Sequence, residues 1–431
     1  MNLPQELDTH LQQTLSRLPG HGLTWLNEYR QQTLADFMRT DLGGKQDKQW
    51  QISATCPGFQ AGASADISLE WLQRYRLAEA YGLVFVDGIL RPEYARREGL
   101  PEGVVLKGLS EMTDAELTAI RSRLTPQPAV DDALGRWNLI WMQDGVYLHI
   151  PERVRLEKPV QILCFGSSNG VNTSLRHLMT LGQQAEAIVM ETCTSPDEVA
   201  GFTLTSTDIR LETGAVLEHY SLQVESARVR HFCSIQVDNG VNTHFRQHHV
   251  ALGGSRSLVA LGNRIDQAAE CQMNGLFYAH GNRHTEIHTR VNHVAALGHS
   301  RQNYRGLATD KATGVFDGII QVQKEAAKIS ATLQNRNLLL SPSAEIDSRP
   351  QLEINADDVQ CSHGVTVGQL DDDAVFFLMA RGLDEAEART ILSFAFANAI
   401  IQNMPSDSYR SLVQTAFLSA LPHADIHQDW L

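Results

Sequence analysis

The sequence predicts a mainly β protein whose centre is a β-helix, a solenoid of short strands, flanked by helical regions. Three observations carry that expectation. From about Asn138 to Phe377 the chain is dense in Val, Ile, Thr, Leu and His, with frequent Gly or Asn breaks and few helical stretches. Similar phrases recur within it: LGQQAEAIVMET from Leu181 and LETGAVLEHYSL from Leu211 start 30 residues apart. Each gives a Leu, a small-residue turn and an alternating strand, as expected where every rung buries its inward face against its neighbours. Two-residue hairpin turns, which a sandwich of antiparallel sheets needs, are scarce there.

The flanks read differently. Leu11, Leu15 and Leu18, then Leu69, Trp71, Leu72, Tyr75 and Leu77, follow a loose helical period. Asp41 to Gly62 between them reads as a loop, with Trp50 available to anchor it. Leu83 to Val86, Asp87-Gly88 and Ile89-Leu90 predict a short hairpin. A helix from about Asp114 to Leu124 follows with Thr113 as its N-cap, and Pro126 and Pro128 punctuate the chain after it. After Gly382 the helical period returns: Asp384 and Glu387 form a capping arrangement ahead of Ile391, Leu392, Phe394, Phe396 and Ile400. A second helix starts near Asp407 with Leu412, Val413, Phe417 and Leu418. This divides the chain into a mainly helical region 1–135, a β-helix core 136–377 and a C-terminal helical region 378–431. The last is expected to pack on the end of the solenoid and shield its open edge, with a partner-docking face as the alternative.

The composition bounds the function. The chain has 431 residues, 42% apolar and 20% charged, which is ordinary for a soluble globular protein. A net charge of -14 without a dense Lys/Arg cluster argues against nucleic acid as a partner. Neither a leader-like N-terminus nor an apolar run of about 20 residues is present, so the expected place is the cytoplasm, without a membrane. Cys56, Cys164, Cys193, Cys233, Cys271 and Cys361 are scattered without a CxxC pair and read as reduced thiols. No stably bound cofactor is expected.

The chemistry concentrates in LEINADDVQCSHGVTVG, Leu352 to Gly368. Leu352, Ile354 and Ala356 alternate with polar residues, whereas beyond Asp357-Asp358 the apolar positions are Val359, Cys361, Val365 and Val367. A bulge or corner at the aspartates must re-aim the chain. Cys361 and His363 then share one face, with Cβ atoms roughly 7 Å apart, and Gly364 is expected to leave room beside them. A thiolate and an imidazole can share a bound iron atom. A bare C-x-H is more often a buried cysteine beside a hydrogen-bonded histidine.

The longer phrase weighs against that plain reading. LEINADDVQCSHGVTVGQLDDD is preceded by GVFDGIIQV at Gly314 and QNRNLLLSPSAEIDSRPQLEI from Gln334, and followed by FFLMARGL at Phe376. Together they resemble the SufB/SufD family of iron-sulfur cluster assembly scaffolds, most densely from Gly306 to Gly382 and more faintly over most of the chain. Within the family, the CSHGVTVG phrase is similar to the SufD branch. The resemblance implies a right-handed parallel β-helix, a heterodimer with a SufB subunit, and SufC ATPase subunits docked on the C-terminal helices, around Asp384, Ile391, Phe394 and Phe396. It further implies a transient cluster, or iron, at the SufB–SufD interface, with His363 contributing beside a SufB cysteine and Cys361 as a further participant. A homodimer stays open for the isolated chain. No G-x-x-x-x-G-K-[ST] occurs, so ATP hydrolysis is expected from the SufC partner and not from this chain.

Two other readings remain: a carbohydrate-active β-helix enzyme, for which no carboxylate pair can be named, and a purely structural paralogue that donates no ligand. Three further features read as bystanders. In HTEIHTRVNH, His284, Glu286, His288 and Arg290 form a solvated strand face while Ile287 and Val291 point inward. His248 and His249 fall on opposite faces of any strand. Asp371 to Asp373 read as a solvated turn, and Cys164, Cys193, Cys233 and Cys271 as small apolar fillers.

Overall fold

The computed structural model describes residues 9, 11–39, 67–124 and 133–422. The expected loop at 41–62, Cys56, Trp50, Pro126 and Pro128 lie outside the described residues. The described chain is a β-solenoid of about eight turns with helices towards both ends. Successive strands alternate between two sheets, ten strands in the longer and nine in the shorter. Almost every pairing in both sheets is parallel. The two antiparallel exceptions stand at the start, Tyr81–Val86 with Ile89–Leu90 and Val105–Gly108 with Val146–Ile150. That topology excludes a hairpin-built sandwich.

The repeat seen in the sequence is the rung itself. Leu181 lies in register with Leu211, and Glu186 with Val216. The turn between the two phrases has a structural reason. Gln184, Gly214, Asn242, Ala268, Leu297 and Lys328 all adopt a positive φ, between 55° and 71°, at corresponding corners. Each sends its N–H onto the next turn: Gln184 to the carbonyl of Thr213, Gly214 to Val241, Asn242 to Gln267 and Ala268 to Ala296, all at 2.9–3.0 Å. The left-handed residue turns the corner and aims one donor along the solenoid axis. Ala185, Ala215 and Ala269 follow it fully buried, as do Thr243 and Ile329 at the equivalent positions.

Inside, the inward positions form columns along the axis, and aliphatic side chains dominate them. A fully buried Leu or Ile contributes roughly 1.5–3 kcal/mol, and each is shared between two rungs. The hairpin at Asp87-Gly88 forms as expected, with φ of 51° and 82° at its centre. Asp114–Ala119 and Arg121–Leu124 form the helical segment after Thr113, whose side chain and Glu116 close a capping box.

Helices cover the outer faces of both sheets. Leu11 and Leu18 join Trp137 and Trp141 against Phe202, Leu204, Phe232 and Leu258 of the shorter sheet. On the longer sheet, Phe394, Ile400, Tyr409, Val413 and Phe417 pack against Met190, Tyr220, Leu222, Val250, Leu276 and Tyr278. The C-terminal helices Glu385–Ile401 and Asp407–Ala420 therefore lie along the flank of the solenoid and not over its end. Their apolar stripe matches the outward row of the longer sheet, which is itself apolar, so the flank buries more apolar surface than the rim could. The β region is also shorter than its texture suggested: Ala133–Trp141 is helical, the last strand ends at Gly368, and Asp372–Met379 is a helix.

Candidate functional site

Among the described residues, the last strand of the longer sheet, Val359–Gly368, pairs only with Ile329–Leu339, and the last strand of the shorter sheet, Glu345–Ile354, pairs only with Thr313–Val322. Between them the chain crosses from one sheet to the other at 355–358, with the Asn355 N–H bonded to Val322 and the Asp358 carbonyl accepting from Lys328. Crossing sheets moves the inward positions from even to odd numbers. The change of parity at the aspartates is thus a solenoid corner.

Register fixes which side chains face in. Cys361 lies beside Ala331, His363 beside Leu333, Val365 beside Asn335 and Val367 beside Asn337. All four partners are buried inward residues. Cys361 and His363 accordingly continue two inward columns, two positions apart on one face. Gly364 belongs to the opposite face, and a side chain there would meet nothing within 4 Å, so the room it leaves is not beside them.

Their surroundings differ. Cys361 is half-buried and packs with Val359 and Ala356 on the end of the core, and burial pushes its thiol up. It is protonated at neutral pH unless a cation or metal approaches. His363 is exposed. So are Ile354, Val365 and Val367, at 41%, 37% and 45% of their surface, although their positions face inward. Among the described residues no further rung covers them, and two strands present unpaired backbone groups on that side. Nor do three His, Cys, Asp or Glu side chains among the described residues converge as a metal site.

The residues expected at an ATPase-docking face separate into different jobs. Asp384 caps the helix Glu385–Ile401: its side chain accepts from the Glu387 N–H, and Glu387 accepts from the Asp384 N–H, both at 2.8 Å. Phe394 is buried in the helix–sheet core and Ile391 is half-buried. Phe396 is half-buried under the Arg305 guanidinium, 4.6 Å from its ring centre. Phe394 is therefore packing and unavailable to a partner, because the helix turns it onto Phe417, which in turn meets Tyr278. Exposed apolar surface lies instead at Phe376, Phe377 and Met379, at 71%, 54% and 41%, on the short helix Asp372–Met379. FFLM could have signalled this, being too apolar for a strand end that has no further sheet to join. Asp371 caps that helix through the Asp373 N–H, so the acidic run opens a helix and is more than a solvated turn.

Other expectations also shift. Ile287 and Val291 point inward as read, but Glu286 is 1% exposed and not solvated. Its two oxygens take Nε2 of His284 at 2.5 Å and of His288 at 3.1 Å. His248 and His249 lie on opposite faces and both are buried, one stacked on Tyr220 and one in the lumen.

Two family models match the chain. Residues 76–162 match the family described as SufBD protein N-terminal region. Residues 164–396, more than half the chain, match the SufBD core domain of the SUF system for FeS cluster assembly. The chain belongs to the SufBD family. Within it the chain is SufD-like: "Iron-sulfur cluster assembly protein SufD" of Escherichia coli is 28% identical over 91% of this chain and 92% of that one. An iron-sulfur cluster assembly SufBD family protein of Synechocystis is 26% identical over 87% of each chain. "Protein ABCI7, chloroplastic" of Arabidopsis thaliana is 25% identical over 94% of this chain and 88% of that one. The core match spans the whole of the open edge described above, both terminal strands included. No helix among the described residues is long and apolar enough to cross a membrane.

Proposed function

We propose that this SufD-like chain is a non-catalytic subunit of a SufBCD-type complex, and that its open solenoid end joins a homologous SufB solenoid around a nascent iron-sulfur cluster. The observation that carries this is the pair of unpaired terminal strands whose inward columns end uncovered, in Cys361, His363, Val365 and Val367. A second solenoid of the same family presents a matching edge. Joining the two would pair the backbone groups and bury the valines, leaving the imidazole of His363 inside a partly dry seam.

In that seam the cluster or its iron is cargo, built and passed on. His363 supplies a nitrogen donor on a rigid strand. Cys361 lies one inward step back, protonated until iron draws it to thiolate. Ligands to complete the set come from the partner. The exposed Phe376, Phe377 and Met379, close to the capped helix Glu385–Ile401, suit a SufC ATPase as docking surface. Hydrolysis there would move the helices along the flank and so the edge they brace.

Co-expression with SufB and SufC tests the arrangement. The double variant Val365→Lys, Val367→Lys is expected to stay folded but to lose SufB while keeping SufC. Retention of SufB at wild-type level would remove the open end from the interface.

A further inference from the structure

At the opposite end of the solenoid from His363, Cys164 and Cys193 occupy the same position on neighbouring strands, Val160–Phe165 and Glu186–Thr194. They are 29 residues apart in sequence and in direct register in space. Their thiols share a hydrogen bond. The remaining described thiols are placed differently. Cys233 lies on the other sheet, Cys271 is buried with its thiol driven upward by burial alone, and Cys361 belongs to the far rung.

We propose that Cys164 and Cys193 are a redox modification site, a dithiol that closes reversibly to a disulfide by exchange with a small disulfide of the glutathione class. In-register strands lie roughly 4.7–4.9 Å apart, inside the Cα window of about 4.4–6.8 Å that a disulfide spans. The Cβ atoms of such a pair are spaced about as the strands are, beyond the favoured range of about 3.5–4.5 Å. The bond is therefore strained and readily reduced, as suits a reversible site better than a structural one. Both cysteines are buried in the solenoid core, so exchange requires local opening where the two strands run out into Gly166 and Ser195.

The two thiols are unequal, as an exchange pair requires. The hydrogen bond from Cys193, and then the His177 ring, hold Cys164 below the usual thiol range against the effect of burial. Cys193, sharing its proton and buried beside Glu225 and Cys233, is pushed well above it. The Nδ1 of His177 accepts from the Val146 N–H at 3.1 Å, which puts the proton of the neutral ring on Nε2, an atom without a hydrogen-bond partner among the described residues. The ring lies close enough to Cys164 to favour its thiolate.

The exchange balances. The Cys164 thiolate attacks one sulfur of glutathione disulfide, forming a mixed disulfide and releasing one glutathione thiolate. Cys193 then loses its proton to that thiolate or to solvent and attacks the Cys164 sulfur, releasing the second glutathione. Two protein thiols are oxidised and one small disulfide is reduced to two thiols.

The test equilibrates the full chain with reduced and oxidised glutathione, quenches in acid, alkylates and maps peptides by mass spectrometry. The expected result is joint loss of the Cys164 and Cys193 thiols, a peptide linking them, and full recovery on reduction. In Cys193→Ser, Cys164 should stop at the glutathione adduct. His177→Asn in that background should move the pH profile of adduct formation upward by about one unit, toward the ordinary thiol value near 8.5. Both thiols staying free across the series, or a link from Cys193 to Cys233 instead, would overturn the proposal. An unmoved pH profile would remove His177 from it.

Discussion

His363 stands in register with Leu333 on the last two strands of the longer sheet, yet Leu333 is fully buried and His363 is exposed. Two residues in one inward column differ only in whether another rung follows. Leu333→Ala should therefore cost about 2–5 kcal/mol, the loss for a buried leucine with its cavity. His363→Ala should change stability by less than about 0.5 kcal/mol, as exposed substitutions do. Urea unfolding of both variants checks the contrast, and a large loss for His363→Ala would mean that the histidine is part of the core.

The corner ladder carries a second expectation. Ala268, Leu297 and Lys328 hold positive φ values of 55°, 67° and 56° that an L side chain resists. Such a residue costs roughly 1–2 kcal/mol over glycine's freedom, less glycine's greater loss of entropy on folding. Leu297, 43% exposed, has little packing to lose. Leu297→Gly should raise stability by a few tenths to about 1 kcal/mol, read as an increase in the denaturation midpoint. A clear decrease would show that its side chain is held by contacts.

The two buried histidines set an acid response. Burial holds His248 and His249 far below their ordinary value, at about 3. Between about pH 6.5 and 3 the unfolded chain binds a proton at each site that the folded chain does not. Stability therefore falls as the pH drops through that window, by about 1.4 kcal/mol per pH unit for each histidine. Above pH 6.5 neither contributes. His280 and His293, held at about 4 by burial, add to the same slope. His248→Phe, which can keep the stack on Tyr220, should lessen the slope between pH 6.5 and 5 by about 1.4 kcal/mol per pH unit in parallel unfolding curves. An undiminished slope would assign it elsewhere.

The C-terminal helices separate packing from docking. Phe394→Ala should cost about 3–5 kcal/mol because the side chain fills the helix–sheet core. Phe376→Ala should leave the unfolding midpoint almost unchanged while weakening capture of SufC from the co-expressed complex. Equal destabilisation by both would mean that Phe376 is covered by this chain.

Much of this was legible because solenoid corners impose local rules. The phrases at Leu181 and Leu211 repeat since each corner needs a residue at positive φ followed by a buried one, Ala185 and Ala215 in these two. The boundary at Asp384 was visible because a capping box is written in two residues. What stayed hidden depends on which rung meets which. Cys164 and Cys193 look like unrelated fillers until the register places them side by side. Glu286 reads as a solvated acid because alternation marks only the outward face, whereas its own neighbours, His284 and His288, close over it. The apolar face of the C-terminal helices was clear, but whether it met the flank or the end of the solenoid depended on the outward row of the longer sheet. Parity could place His363 on an inward face, but only the end of the strand order leaves it open.

The most direct measurement is iron-sulfur cluster formation on the purified complex of this chain with SufB and SufC, followed by visible absorption and Mössbauer spectroscopy. With His363→Ala the account predicts an intact complex that accumulates little or no cluster, and with Cys361→Ala a smaller loss. Cluster at the wild-type level on a His363→Ala complex of unchanged composition would contradict it.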